Sequence, residues 1–168
     1  MCGEITLRAL EPEDLEILYQ WENDTTLWSC SDTRTPLSRY NLKEYINTSH
    51  LDINVSGQVR FVAEVDGVAV GFADLFDYDA HNRRAEVGIL VYDKELRGKG
   101  IGTAILMKLC EYARVVLSLH QLSASVSEYN VASLHLFERC GFERCGYKKE
   151  WRLNGSQWEN VIDLQLLF

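Results

Sequence analysis

Leu96-Arg-Gly-Lys-Gly-Ile-Gly-Thr103 sets three glycines and two cations between an apolar, β-like run, Val87 to Tyr92, and an apolar helical run, Ile101 to Leu117. A strand–turn–helix junction of this kind is suited to a pyrophosphate. Successive amides of the turn form a concave nest, the first turn of the helix has unpaired donors, and the helix dipole adds partial positive charge. Glycine lets the backbone come close to the phosphates.

Two nucleotide-binding patterns compete for the same stretch, and both fail. A P-loop needs Gly-x-x-x-x-Gly-Lys-Ser/Thr, a spacing absent from the chain. A dinucleotide fingerprint would put glycine at position 103, which is Thr, and an acid about twenty residues later, where Ser118 to Ser127 has none. What remains, Arg97-x-x-Gly100-x-Gly102, resembles the acyl-CoA pyrophosphate loop of the GNAT superfamily of N-acetyltransferases. Asn130-Val-Ala-Ser-Leu-His-Leu-Phe-Glu-Arg-Cys-Gly-Phe142 is similar to that family's Asn-x-x-Ala-x-x-Leu-Tyr-x-x-x-Gly-Phe signature, with Ala132 one position early. It follows Gly102 by 28 residues, room for one helix and one strand. Thr6-Leu-Arg-Ala-Leu, Glu13-Asp-Leu, Trp21-Glu-Asn-Asp, Gly67-x-x-x-Gly71 and His81-Asn-Arg-Arg-Ala-Glu-Val-Gly extend the resemblance over most of the chain. They resemble the branch that contains ribosomal-protein N-terminal acetyltransferases and spermidine acetyltransferases.

At 168 residues with 46% hydrophobic content, the chain is expected to form one domain, residues 1–168, with a substantial core. No run approaches the ~20 apolar residues of a membrane span, and Glu4 and Arg8 break any signal-peptide apolar region. A cytoplasmic protein with no membrane partner is the expectation. The net charge of −8 argues against nucleic acid, which needs a basic face, and suits a cationic acceptor. Five cysteines, Cys2, Cys30, Cys110, Cys140 and Cys145, are expected as reduced thiols. Cys110 shares a helix face with Leu106 and Ala113, as a small buried hydrophobe would. Cys140 and Cys145 lack the second pair a zinc site needs, and no metal is expected.

Periodicity and turn chemistry predict the elements in order. Ile5–Leu10 reads as a strand, Pro12-Glu-Asp as a helix start with Leu15, Leu18 and Tyr19 at helical spacing, and 24–36 as polar turns. Leu37–Leu51 reads as a helix with Leu42, Tyr45 and Ile46 on one side, placed by the resemblance at the acceptor end of the cleft. Val59–Val65 and Val68–Phe76 form a hairpin on Asp66-Gly67, and Arg84–Val91 is the next strand. After the long helix come a strand, Leu122–Val126, a short helix, Val131–Cys140, and a closing hairpin around Asn154-Gly155. This order implies an α/β (α+β) fold, a mixed sheet of about seven strands flanked by about four helices.

The resemblance implies acetyl transfer from acetyl-CoA to a primary amine by direct attack. It puts Arg97, Gly98, Lys99, Gly100, Ile101, Gly102 and Thr103 on the pyrophosphate, and main-chain groups of Leu90 and Val91 along the pantetheine arm like an added strand. An amide near Val91 would face the oxyanion. Asn130 suits the arm's amides or a helix N-cap, roles that do not exclude one another. Glu86 is the candidate base, acting through water; an exposed strand carboxylate paired with Arg83 or Arg84 is the competing reading. The family's tyrosine, which protonates the departing sulfur, is Phe137 here, leaving apolar packing against the thioester to that ring and Tyr129 or Ser133 as donors. A thiol of pKa ~8.5 leaves tolerably unaided.

The acceptor stays open between two amines. A lysine-like or polyamine nitrogen of pKa ~10.4 costs about 4.6 kcal/mol to neutralise at pH 7, an α-amine of pKa ~8 about 1.4. Because the missing tyrosine matters least for an easily neutralised nucleophile, a protein N-terminal α-amine leads and a polyamine follows. The competing function is a non-catalytic acyl-CoA-binding regulatory module, and a homodimer through an edge strand or the last hairpin is left open. His50, His81, His120 and His135 form no catalytic or ligating pattern. Trp21, Trp28, Trp151 and Trp158 read as core or cleft wall, with Trp28 in the segment nearest the acceptor.

Overall fold

The computed structural model describes residues 3–31 and 33–168; Cys2 and the side chain of Cys30 lie outside that description. Seven strands build one mixed sheet: β1 Ile5–Ala9, β2 Val59–Val65, β3 Val68–Asp79, β4 Arg84–Val91, β5 Gln121–Ser127, β6 Glu143–Asn154 and β7 Gln157–Leu167. Their spatial order is β1-β2-β3-β4-β5-β7-β6, antiparallel except for the central β4–β5 pair. The helices are α1 Leu15–Glu22, α2 Arg39–Thr48, α3 Ile53–Ser56, α4 Ile101–Val115 and α5 Val131–Arg139.

Local chemistry accounts for most boundaries. Asp66 and Gly67, at φ +50 and +77, supply the two left-handed residues that a tight hairpin turn needs. Ser38 accepts from the Asn41 amide at 3.1 Å, so α2 starts two residues later than apolar spacing suggests. The turn α3 was not legible, because four residues carry no periodicity; only Asp52, which caps it, and left-handed Gly57, which ends it, mark its place. The long helix stops short of Leu117, and Arg83 binds the Ser118 carbonyl beyond its end at 2.8 and 2.6 Å.

Two apolar layers sandwich the sheet. On one face Leu18 and Trp21 of α1 and Leu42 and Ile46 of α2 cover Val62 and Phe72. On the other, Ile101, Ile105, Leu109 and Ala113, four residues apart along α4, cover Ala63, Ala73, Leu75, Ala85 and Val87. Leu134 and Phe137 bring α5 into that second layer, where Phe137 meets Phe142 edge-on at 5.0 Å. Each fully buried leucine in these layers contributes about 1.5–3 kcal/mol. Trp21 is buried and stacked on Tyr92 at 4.8 Å. Trp158 departs from the expectation of core or cleft wall: it stands 57% exposed, because its position on β7 alternates outward beside buried Glu159.

Candidate active site

The parallel β4–β5 pair holds for only three registers, Arg84–Gln121, Ala85–Leu122 and Glu86–Ser123. Beyond Glu86 the two strands have no register with each other, while β4 stays paired with β3 as far as Val91 and β5 with β7 as far as Ser127. The gap is a cleft of 240 Å³ lined by Val87–Leu90 of β4, Ser125–Ser127 of β5, and Asn130, Ser133 and Phe137 of α5, with Trp21 and Trp28 at its side. Main-chain groups of β4 that point away from β3 therefore face a cleft instead of a strand.

The glycine-rich turn lies at the far end of β4. Gly98 and Gly100 sit at φ +73 and +83, conformations that a side chain strains, and space around both is open. Gly100 is also the N-cap of α4 and offers no side chain to cap it. Among the described residues, none of the six amides from Gly98 to Thr103 has an acceptor within the chain. Arg97 turns its guanidinium back to the carbonyls of Val91, at 2.9 Å, and Tyr92, at 3.4 Å, tying the turn to the end of β4. A methyl placed at Gly102 would meet only ordinary contacts, the nearest Leu136 Cδ2 at 3.5 Å. Neither packing nor a left-handed backbone angle requires glycine there.

At its other end the gap opens into a larger cleft of 1380 Å³ between the α2–α3 side and the 151–153 end of β6. Four carboxylates line it: Glu22, Asp74, Asp77 and Glu86. Arg60 engages two of them, gripping Asp74 through two hydrogen bonds at 2.8 and 2.7 Å and pairing with Glu22. Glu86 is half-buried, and neither competing partner reaches it: Arg83 serves Ser118 and Arg84 serves Asp79. Burial first, and the charge of Asp77 second, push the Glu86 carboxyl above its ordinary range, against the pull of Ser125 and Lys148. A carboxylate so raised is a better proton acceptor.

The remaining expected residues divide. Asn130 accepts from the Ser133 amide at 3.2 Å, so it caps α5 and lines the gap as well. Ser133 and Phe137 also line the gap, and Trp28 borders it while donating its indole N–H to the Glu22 carbonyl at 2.9 Å. Tyr129 is not among the lining residues; it is 68% exposed, because it sits in the turn between β5 and α5. Leu37 and Tyr45 of the α2 region reach the larger cleft, as does Trp151. Three features of the site were not legible in the sequence: the Arg60 group; Arg152, which holds the Ser31 carbonyl from β6; and buried Glu159, bonded to Ser127. Each joins residues far apart in the chain, and no local pattern marks them. Burial raises both Cys110, to about 12, and Cys140, as suits thiols that pack and do not react. Among the described residues, no helix is long and apolar enough to cross a membrane.

A free strand edge, an uncapped helix start behind open glycines, and an acid-lined cleft on the same sheet fit an acyl-CoA thioester at one end and an amine at the other. They define an acyl-CoA-dependent transferase. Comparison with known proteins gives the family: the acetyltransferase (GNAT) domain model matches residues 4–143. The chain belongs to that family and is an acetyl-CoA-dependent N-acetyltransferase. It is 29% identical to the spermidine N(1)-acetyltransferase of Vibrio cholerae serotype O1, covering 99% of this chain and 95% of that protein. With the enzyme of the same name from Escherichia coli K12 it shares 30% identity, over 94% of this chain and 83% of that one. The crystal structure of spermidine N-acetyltransferase from Vibrio cholerae in complex with CoA and spermine superposes with a TM-score of 0.88 at 27% identity, covering 97% and 95% of the two chains. The regulatory-module reading is not favoured.

Proposed function

We propose that this enzyme acetylates a polyamine and that its residues divide the work along the two joined clefts. The amides of Gly98–Thr103 hold the pyrophosphate, with Arg97 and Lys99 adding charge, and Leu90 and Val91 pair with the pantetheine arm, helped by Asn130. Acetyl-CoA supplies the activated acyl group and a thiol leaving group. Glu86 takes a proton from the incoming ammonium through water, a step that costs about 4.6 kcal/mol for an amine of pKa ~10.4 without help. Phe137 offers no hydroxyl to the sulfur, so the thiolate departs unaided or with Ser133 nearby.

The observation that carries the reading is the continuity of the two clefts. Val87, Gly88 and Ser125 line both, so an amine beside Glu86 lies next to the gap at β4 and β5. The choice of polyamine over N-terminal α-amine is supported by the named activity of the relatives and by the cleft's acids: four carboxylates against Arg34, Arg60 and Arg152. An elevated base suits the amine that is hard to neutralise, and a location in the cytoplasm goes with that substrate.

Thiol release measured with spermidine, spermine, putrescine and an N-terminal Ser or Ala peptide tests this. The expected result is kcat/KM for spermidine or spermine at least tenfold above that for the peptides. Faster peptide turnover would overturn the polyamine assignment and leave the acetyltransferase activity standing.

A further inference from the structure

The mechanism above uses no group on β7, yet β7 carries a carboxylate that is buried next to the reacting cleft. Glu159 is only 7% exposed, and its Oε2 accepts the hydroxyl of Ser127 at 2.5 Å, while its Oε1 accepts Asn154 Nδ2 at 2.7 Å. Those two hydrogen bonds, with Arg152 nearby, hold its carboxyl below the usual range and therefore ionised. An ionised carboxylate only accepts, so the single proton of Ser127 must point at Glu159. The Ser127 oxygen also receives the Tyr129 amide at 3.3 Å. With two lone pairs on a hydroxyl oxygen, one is left over.

The Ser127 side chain shares a sheet face with Glu86. Along β5, Leu122, Ala124 and Val126 are buried in the core, so Ser123, Ser125 and Ser127 alternate onto the opposite face. Glu86, between core-facing Ala85 and Val87, is on the same face from β4. Ser127 lines the gap beside Val126, Asn130 and Phe137. A hydroxyl whose proton is committed to a buried carboxylate cannot also act as an acid toward the leaving sulfur, and so does not stand in for the missing tyrosine. It can accept.

We propose that Ser127 is a catalytic residue for acyl transfer: its Oγ accepts an N–H of the attacking amine and turns the nitrogen lone pair toward the thioester carbonyl. Glu159 is the positioning residue behind it, keeping the hydroxyl proton out of the cleft. This role rests on the gap between β4 and β5 being the reacting site, and it holds for any primary amine the enzyme uses. Misaiming a bound nucleophile by about 1 Å costs on the order of a hundredfold in rate, which bounds the effect.

The test compares wild type with Ser127→Ala, Ser127→Thr and Glu159→Gln, using whichever amine of the panel wild type turns over fastest. Steady-state kinetics, calorimetric titration with acetyl-CoA and thermal melts are read together. Ser127→Ala is expected to lower kcat about 10- to 100-fold, with acetyl-CoA affinity within twofold of wild type. Ser127→Thr, which retains the hydroxyl, should keep most of kcat. Glu159→Gln should lower kcat as Ser127→Ala does, because an amide at 159 lets the hydroxyl turn. The proposal is overturned if Ser127→Ala keeps kcat within twofold, if its loss appears as weaker acetyl-CoA binding at unchanged kcat, or if Ser127→Thr falls as far as Ser127→Ala. Wild type inactive on polyamines but active on another amine would sink the acceptor assignment alone, leaving this test intact.

Discussion

Gly102→Ala separates what the glycine turn does for the fold from what it does for the ligand. Position 102 lies in the first turn of α4 with no left-handed φ, and an added Cβ would rest 3.5 Å from Leu136 Cδ2 and 3.7 Å from Val91 Cγ2, ordinary contacts on both sides. No clash opposes the substitution. Alanine is better than glycine inside a helix by roughly 0.5–1 kcal/mol, and a first-turn position keeps the lower part of that gain, about 0.5 kcal/mol. For a chain of 168 residues this raises the melting temperature of the free protein by about 1–2 °C. If this turn holds the pyrophosphate, a methyl beside the amides of Ile101–Thr103 crowds the phosphate oxygens those amides bind. If one or two of those hydrogen bonds to charged oxygens are lost, at about 1.5–3 kcal/mol each, CoA affinity falls on the order of 10- to 100-fold or more. Differential scanning calorimetry and isothermal titration with CoA measure the two effects on one sample. Tighter or unchanged CoA binding, or a melting temperature several degrees lower, would refute the assignment of this turn to the pyrophosphate.

Three further outcomes follow from the same geometry. Glu86→Gln should remove the acid limb of the kcat/KM profile, which in wild type lies above the ordinary carboxylate range, and lower kcat about 10²- to 10⁴-fold. Because folding raises this carboxyl's pKa, its charged form opposes the fold: the variant should melt higher than wild type at pH 7, the gap closing as pH falls through the wild-type pKa, and a gap that widens on acidification would contradict the burial argument. Gly71→Ala would set a Cβ 1.8 Å from the Leu90 carbonyl oxygen, so β4 must shift; about 1–3 kcal/mol of stability should be lost in urea melts, together with CoA affinity, since Leu90–Val91 move. Phe137→Ala empties a buried site against Phe142 and should cost about 3–5 kcal/mol by denaturant titration; a loss below 1 kcal/mol would mean the ring is not core.

The parts legible in the sequence are those built by neighbours. Asp66-Gly67 and Asn154-Gly155 are read as turns because backbone sterics act within two residues, and both hairpins are present. The spacing of Ile101, Ile105, Leu109 and Ala113 reports a buried helical face through the 3.6-residue period. The glycine turn before α4 is legible for the same reason, since left-handed Gly98 and Gly100 belong to one short stretch. Four-residue α3 has no period to detect, and the exposure of Tyr129 and Trp158 depends on which way a turn and an edge hairpin face. A match to Asn130–Phe142 could place Ser133 and Phe137 near the gap, but not Ser127, which lies outside that motif.

By itself the chain order determined the strands, the longer helices and the sheet's mixed character, because torsional preference, periodicity and turn chemistry are local properties. Tertiary structure alone decided where β4 and β5 part after Glu86, which acids stay unneutralised beside Arg60, and that Glu159 stands behind Ser127. Those outcomes depend on contacts across 14 to 38 residues, where solvent exclusion and strand pairing, not sequence neighbours, set the distance between charges.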